Sequence, residues 1–544
     1  MSSRARFFSW AIGIGVFAIA GCSGGGNFTP LSPVVPDPGQ NPAAPFQAYN
    51  IVTISDLHFN PLYDASLYPQ LVGALPASSQ NAWDPNSWLN IYKTSTVMIP
   101  SMAGTDTNFP LLELALASVH QNMPTTTSGT LNTVVLFTGD MLGHNIEQSY
   151  CQDYLKGQGI ASPAAAQVGA CIVSQRATIQ AFITAAFTFV AAQIQAAVGG
   201  VPVLYAPGNI DTYDQNLDAG DHPCKPAPAV PNCDVGPDSA FLANTAAPVW
   251  NYLLPNDTNP ANGLADTADA SFSTTYPSGG YYFAELFGKK LRVIVLNSNS
   301  FVEGSPTWSG AGAELSWLSQ QLQAAQTAGE KVWILMHVPP GVNSQYTAQV
   351  AAVPSEVNED DVSMMWDATL QQSFLSILQQ YSGEVTMMLA GHTHMDEFRI
   401  LSSSGASVGV LEQLPGISPC FGNNPAYKVI TVAQRTLTPV DYQSFDYDLG
   451  AMPSAFGSLY RFSAVYGANP QNPLASSLQS LYPKLNSNLR DQDDYTLLYS
   501  SGSTAVNPIT YYPWNPINDV NWPIFGCTIG KTDLTSYVNC VNAH

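Results

Sequence analysis

Met387 to His394 reads MMLAGHTH: an apolar run, a glycine, and two histidines one residue apart. An apolar run of this length bounded by glycine predicts a buried strand. The turn after it would present His392 and His394 at the strand's carboxyl end, where open α/β sheets keep their sites. His-x-His alone is a weak signal, because paired histidines are common on surfaces and in cores. Four other apolar runs end in the same manner, however. IVTIS leads to Asp56 and His58, VVLFTG to Asp140, VPVLYAPG to Asn209, and KVWILM to His337. Five strand-like runs that each deliver a metal-capable side chain at the same end point to one metal site.

The pattern around these runs alternates strands with helices, which predicts an α/β sheet system with helices outside. Helices are expected over residues 111–120, 174–198, 314–328 and 366–381; the second and third stop at glycines, Gly199 and Gly329. Runs 280–286 and 291–297, joined at Gly288-Lys289, read as a hairpin, so the sheets should be mixed. Trp83 and Trp88 lie in loop-like Pro/Asn/Ser sequence, and residues 211–278 form a long Asp/Asn/Pro-rich insertion. Loops of that length in compact domains usually bind something or cover a site. From about Gly416 the pattern loosens to a strand near 427–432, a helix near 474–485 and an irregular aromatic tail. The expected division is a catalytic domain over 49–415 with a smaller, partly helical C-terminal region, 416–544, packed on it.

The N-terminus has the layout of a signal peptide: Arg4 and Arg6, an apolar segment from Phe7 to Ala20, then Ile19-Ala20-Gly21-Cys22. Small residues before a cysteine resemble the bacterial lipobox. That implies a lipoprotein signal peptide over 1–21 and lipidation of Cys22, with an outer-membrane, periplasmic-face or cell-surface location. Residues 22–48, rich in Gly, Pro and Ser, read as a tether. The membrane would be met through this anchor only.

Charged residues are 10% of the 544-residue chain, hydrophobic residues 45%, and the formal net charge is −22. This describes a folded, acidic protein whose surface repels nucleic-acid phosphates, so binding of nucleic-acid polymers is not expected. No protein partner is inferred. Seven cysteines follow Cys22 in a chain with eight. In an exported protein they should pair. Local pairs are expected, Cys151 with Cys171, Cys224 with Cys233 and Cys527 with Cys540, which leaves Cys420 free.

The candidate ligands are Asp56, His58, Asp140, Asn209, His337, His392 and His394. Shared over two ions, with Asp140 as the bridge because a carboxylate has two oxygens, they give each ion four protein ligands. Nitrogen and oxygen donors suit Zn²⁺ best, with Mn or Fe as alternatives. Two divalent ions about 3.5–4 Å apart can hold a bridging hydroxide as nucleophile and neutralise the oxygens of a phosphoryl group under attack. His144, four residues after Asp140 in GDMLGH, is the candidate general acid for the leaving oxygen. The remaining histidines, His120, His222 and His544, have no partner at ligand spacing.

The ordered set D-L-H, G-D-x-x-x-H, G-N, isolated His and G-H-T-H resembles the calcineurin-like metallophosphoesterase superfamily. GDMLGH (139–144), GGYYFAEL (279–286), LRVIVLNSNSF (291–301), the run 315–341, GHTHMDEFRI (391–400) and GNNPAYKVI (422–430) resemble, more closely, the acid sphingomyelinase-like phosphodiesterases. The resemblance implies a four-layer αββα sandwich with two zinc ions. One ion would take Asp56, His58, Asp140 and His394, the other Asp140, Asn209, His337 and His392. His144 falls where the family has a catalytic histidine. Two departures stand out. The saposin-like module of the metazoan sphingomyelinase has no counterpart in the Pro/Gly tether, and Ile210 follows Asn209 where the family usually has a histidine.

The expected function is therefore hydrolysis of phosphodiester bonds in a sphingomyelin-like phospholipid, a phosphocholine ester or a nucleotide. The alternatives are a phosphomonoesterase or nucleotide phosphohydrolase, and a surface binding lipoprotein with a relic site.

Overall fold

A computed structural model describes residues 48–76, 83–124, 133–213, 238–254, 264–302, 309–351, 353, 356–451, 454–504 and 516–544. The signal peptide, Cys22, nearly all of the tether, His222 and the expected Cys224–Cys233 pair lie outside these residues, as does much of the 211–278 insertion. Gln47–His544 forms one compact unit.

Among the described residues, twelve strands make two six-stranded mixed sheets. The first runs β12 (Phe456–Arg461), β11 (Thr438–Tyr447), β10 (Ala426–Ala433), β1 (Ala48–Ile54), β2 (Val135–Phe137), β3 (Val203–Tyr205). The second runs β4 (Tyr282–Leu286), β5 (Leu291–Val295), β6 (Lys331–Leu335), β7 (Val385–Ala390), β9 (Ala406–Gln413), β8 (Glu397–Ser403). Strands β1, β2 and β3 are mutually parallel, as are β5, β6 and β7, and the expected hairpin is the antiparallel pair β4–β5.

Side-chain alternation sorts the second sheet into two faces. Val293, Val295, Trp333, Leu335, Met387 and Leu389 join the large central core. Their neighbours Ile294, Leu296, Val332, Ile334, Met388 and Ala390 pack outward with Leu318, Leu322, Phe374 and Leu378. Those partners come from helices Ser309–Ala328 and Ala368–Gln380, which form one outer layer. The two sheets meet where the Trp333 indole N–H donates to the Leu437 carbonyl and Lys428 of β10 reaches Glu412 of β9 at 2.8 Å. On the far side of the first sheet, Tyr427 hydrogen-bonds Ser118 of helix Phe109–Asn122 at 2.8 Å. Phe187 of helix Ala165–Val198 packs edge-on against Tyr205 of β3. The layers are thus helix, sheet, sheet, helix.

Several elements differ from expectation. The long helix begins at Ala165, just past Pro163, rather than at 174, and ends at Gly199 with φ +65° as its apolar pattern implies. By length and composition it could cross a membrane. Here Phe182, Ile183, Phe187, Phe189 and Val190 are wholly buried within the core. The loop-like sequence around Trp88 folds as helix Asn86–Tyr92, whose Trp88 is buried against Phe182 and Phe189. Beyond residue 416 the chain completes the first sheet. β10 pairs antiparallel with β1 and β11 with β10, so a domain boundary there would cut between hydrogen-bonded strands. Part of the aromatic tail is helix Trp522–Gly530, buried at Trp522, Ile524 and Phe525.

Candidate metal centre

All seven candidate ligands leave the carboxyl ends of strands: Asp56 and His58 after β1, Asp140 after β2, Asn209 after β3, His337 after β6, His392 and His394 after β7. They are drawn from both sheets and converge in one place. Five of them adopt left-handed backbone: Asp56 (φ 47°), His58 (41°), Asp140 (53°), His392 (76°) and His394 (63°). For a residue with a Cβ this conformation costs about 1–3 kcal/mol, and such strain concentrates at functional sites.

The Oδ2 atom of Asp140 lies between two histidine groups, 3.2 Å from His58 Nε2 and 3.1 Å from His337 Nε2. On the first side, His394 Nε2 approaches His58 Nε2 at 3.0 Å and Asp56 Oδ1 at 3.5 Å. On the second, Asn209 Oδ1 lies 2.8 Å from both His337 Nε2 and His392 Nδ1. Asp56, His58, Asp140, His337 and His394 are buried, and His392 is partly exposed. The ligand loops also hold one another. The His392 N–H donates to Asp56 Oδ1 at 3.0 Å, and the Ile210 N–H to Asp140 Oδ1 at 2.8 Å. Ile210, the departure from the family pattern, thus supplies its amide while its side chain is buried.

Tautomers decide what these nitrogens can do. His337 Nδ1 sits 2.7 Å from the Thr138 carbonyl and His394 Nδ1 3.0 Å from the Ser418 carbonyl. A carbonyl only accepts, so each Nδ1 carries a proton, and in the neutral ring Nε2 presents a lone pair. Those lone pairs point at other acceptors, Asn209 and Asp140 on one side, Asp56 on the other. Such a convergence repels itself unless a cation lies within it. Histidine fixed through Nδ1–H to a backbone carbonyl is the usual arrangement of a metal ligand. The residues present therefore fit two divalent ions, and the groupings Asp56–His58–Asp140 and Asp140–His337–His392 each bring their donor atoms within 4.8 Å of one another.

Electrostatics agree with this reading. Burial opposes charge on His337, but Asp140 and Asp56 prevail and hold its pKa up to about 9. A proton there satisfies the acceptors that an ion would otherwise satisfy, and metal uptake would expel it. Burial and the neighbouring His58 push His394 well below the usual histidine range. Burial raises Asp56 to about 6 against the pull of His337, while in Asp140 the two histidines overcome burial and hold the carboxyl well below its usual range.

His144 stacks its ring on that of His58, with centroids 4.3 Å apart, and Asp106 lies 2.8 Å from its Nδ1. Asp106 carries no signal in the sequence, being a lone aspartate in an irregular stretch. Asp211 is the other unforeseen member. Its buried carboxylate accepts the N–H groups of Met141 and Gly208, each at 3.0 Å, and the Tyr205 hydroxyl at 2.6 Å, which ties the Asp140 loop to the Asn209 loop. Cys420, unpaired as expected, places Sγ 3.8 Å from His394 Nδ1. The Cys151–Cys171 and Cys527–Cys540 disulfides are formed.

No protein-family model matches the chain. Curated relatives do. Over 393 residues it is 24% identical to the sphingomyelin phosphodiesterase of Bos taurus, covering 69% of this chain and 50% of that one. Over 262 residues it is 25% identical to sphingomyelinase phosphodiesterase C of Dictyostelium discoideum, covering 45% and 48%. Its homologues are acid sphingomyelinase-like phosphodiesterases. The same group includes a Bos taurus cyclic GMP-AMP phosphodiesterase, SMPDL3A, 26% identical over 236 residues, or 40% of this chain and 45% of that one. The chain spans about half the length of the curated relatives it matches. Among solved structures, a dimetal phosphatase from Danio rerio is similar over 75% of this chain and 98% of its own, at 13% identity and a TM-score of 0.32.

Proposed function

We propose that this chain is a two-metal phosphoesterase that hydrolyses phosphodiester bonds. The observation that carries the reading is the position of Asp140 Oδ2 between His58 and His337, with His337 and His394, held at Nδ1 by carbonyls, turning Nε2 toward the carboxylates of Asp140 and Asp56. Asp56, His58, Asp140 and His394 would hold one ion, and Asp140, Asn209, His337 and His392 the other, with zinc best suited to the donors. When bound, such a pair lowers the pKa of a shared water and neutralises phosphoryl oxygens. The chain's own residues supply the rest. His144, oriented through Nδ1 by Asp106, would deliver a proton from its ring to the departing oxygen. His58, stacked under His144, fixes the height of that ring over the ligands. The names of the relatives support a phosphodiester substrate, with a sphingomyelin-like lipid, a phosphocholine ester and a nucleotide as the candidates.

The test is paired hydrolysis of bis-p-nitrophenyl phosphate and p-nitrophenyl phosphate by chelated and zinc-reloaded protein. A diester rate that disappears on chelation and returns with metal supports the proposal. A protein that holds no divalent ion, or that cleaves only the monoester, overturns it. We infer also that the chain works outside the cytoplasm, anchored through acylated Cys22; the two disulfides support an oxidising compartment. Labelled palmitate should be incorporated and then lost in Cys22→Ala.

A further inference from the structure

Residues 94–105, TSTVMIPSMAGT, contain no charged side chain, although the chain as a whole carries a formal net charge of −22. Met98, Ile99 and Met102 on this loop are 78%, 64% and 68% exposed. Single exposed apolar residues are ordinary, but three within five positions on one loop form a patch that calls for a partner.

The loop's backbone is not loose. Asn108 accepts the Ser101 N–H and donates to the Ile99 carbonyl at 2.8 Å. The Gly104 N–H donates to the Pro419 carbonyl at 2.9 Å, and Ser95 is tied to Asp64 at 2.6 Å. These bonds tie the loop inward at Ser95, Ile99, Ser101 and Gly104 while Met98, Ile99 and Met102 stay exposed, so the tip is held in place. It also adjoins the site. Pro419 precedes Cys420, which touches His394, and the loop ends at Asp106, which holds His144. Thr107 then exchanges backbone hydrogen bonds with the His58 strand end.

We infer that this loop docks the mouth of the site onto a zwitterionic lipid surface, an inference that rests on the phosphodiesterase reading for its use. The charge pattern selects the occupant. An acidic protein is repelled by anionic bilayers. An uncharged tip of Met and Ile gains from burial in a headgroup layer without needing a countercharge. Once seated, the tip brings the groups that follow it, Asp106 with His144 and the end of β1, to phosphodiesters held in that surface.

The experiment uses the chain from residue 22 onward with Cys22→Ser, so that neither signal peptide nor acyl anchor contributes. Co-sedimentation with phosphatidylcholine vesicles is compared with that of the same chain carrying Met98→Ser, Ile99→Ser and Met102→Ser. The expected result is a drop in partitioning of about ten-fold or more for the triple variant, weaker binding when phosphatidylserine is added, and an unchanged rate on soluble bis-p-nitrophenyl phosphate. Hydrogen exchange on the unsubstituted chain should slow across 94–105 when vesicles are added, which decides the matter even if the variant folds poorly. Equal partitioning of the two proteins, no protection at 94–105, or protection that grows with protein concentration alone (a second copy as the occupant) would overturn the inference. Absence of any diester hydrolysis by the unsubstituted protein would instead strike the functional reading and leave the vesicle result to stand by itself.

Discussion

Asp106 grips His144 twice: Oδ1 lies 2.8 Å from ring atom Nδ1, and Oδ2 accepts the backbone N–H of the same residue at 2.7 Å. One side chain thus fixes both the rotamer and the tautomer of the candidate acid. If His144 delivers a proton, His144→Gln should lower turnover roughly 10²–10⁴-fold on a diester with a poor leaving group. It should do far less to one with a good leaving group, and metal content should hold. Asp106→Asn keeps the shape but weakens the orientation, and a loss of about 10–100-fold is expected. Rates across a leaving-group series check both; equal losses at every leaving group would remove His144 from the acid role.

Asp140 Oδ2 faces both histidine groups, so its loss should empty both positions together. Asp140→Asn is expected to bind less than half the metal of the parent protein and to lose nearly all diester hydrolysis. His392→Ala, which touches one group only, should spare more of the bound metal. Elemental analysis after gel filtration separates the two cases. Full metal content in Asp140→Asn would show that this carboxylate is not shared.

Gly391 stands where a Cβ would press on the Ser55 hydroxyl, on Asp56 Oδ2 at 2.7 Å and on Thr138 Oγ1 at 2.9 Å. None of these atoms is the end of a long, yielding side chain. Gly391→Ala should destabilise the fold by about 1–3 kcal/mol and lower metal occupancy, because Asp56 must shift. Urea midpoints and metal content measured on one preparation test this; an unchanged midpoint would mean that the turn relaxes freely.

Asp446 on β11 has its pKa raised to about 6 by burial and by the nearby Asp448. The unfolded carboxyl titrates near its ordinary value of 3.8. Between these values the folded state binds more protons, so stability should fall as pH rises from about 4 to about 6 and stay reduced above. Asp446→Asn removes the penalty. With allowance for solvent screening, it should gain about 1–2 kcal/mol at pH 7 and nothing below about pH 4. Thermal midpoints across this range would show the two curves converging under acid.

The candidate ligand set was legible because strand ends carry their chemistry in short runs: GDMLGH, GHTH and a lone His after WILM are contiguous and bounded by glycine or an apolar strand. The parts that hold those ligands were not. Asp106 and Asp211 act through space on residues 38 and 70 positions away; nothing near Asp106 in the chain marks it, and Asp211, two residues after Asn209, has only that proximity as a signal. Strands β8, β9, β11 and β12 escaped for a different reason. Their sequences, such as EFRILSS and ASVGVLEQ, hold buried polar groups whose partners lie elsewhere in the chain, as Arg399 with the Pro340 and Val342 carbonyls and Glu412 with Lys428, so they lack clean apolar alternation. Lys428 shows this best. A lysine in mid-strand reads as solvent-facing, yet it is buried between Asp396 at 2.7 Å and Glu412 at 2.8 Å, above the ring of Tyr442.

β1 launches two of the seven candidate ligands, yet its antiparallel neighbour is β10, and the Thr53 hydroxyl finds its carbonyl acceptor 375 residues further along, at Lys428. During synthesis, Asp56 and His58 are therefore among the first parts of the nest to be made, and their strand is among the last to be clamped. A nascent chain halted just before β10 would carry all seven candidate side chains on a sheet with one bare edge. Such a chain would be open to the wrong ion and to the wrong neighbour. Loading with metal should accordingly be a terminal event in the life of each new molecule, following closure of the sheet rather than guiding it.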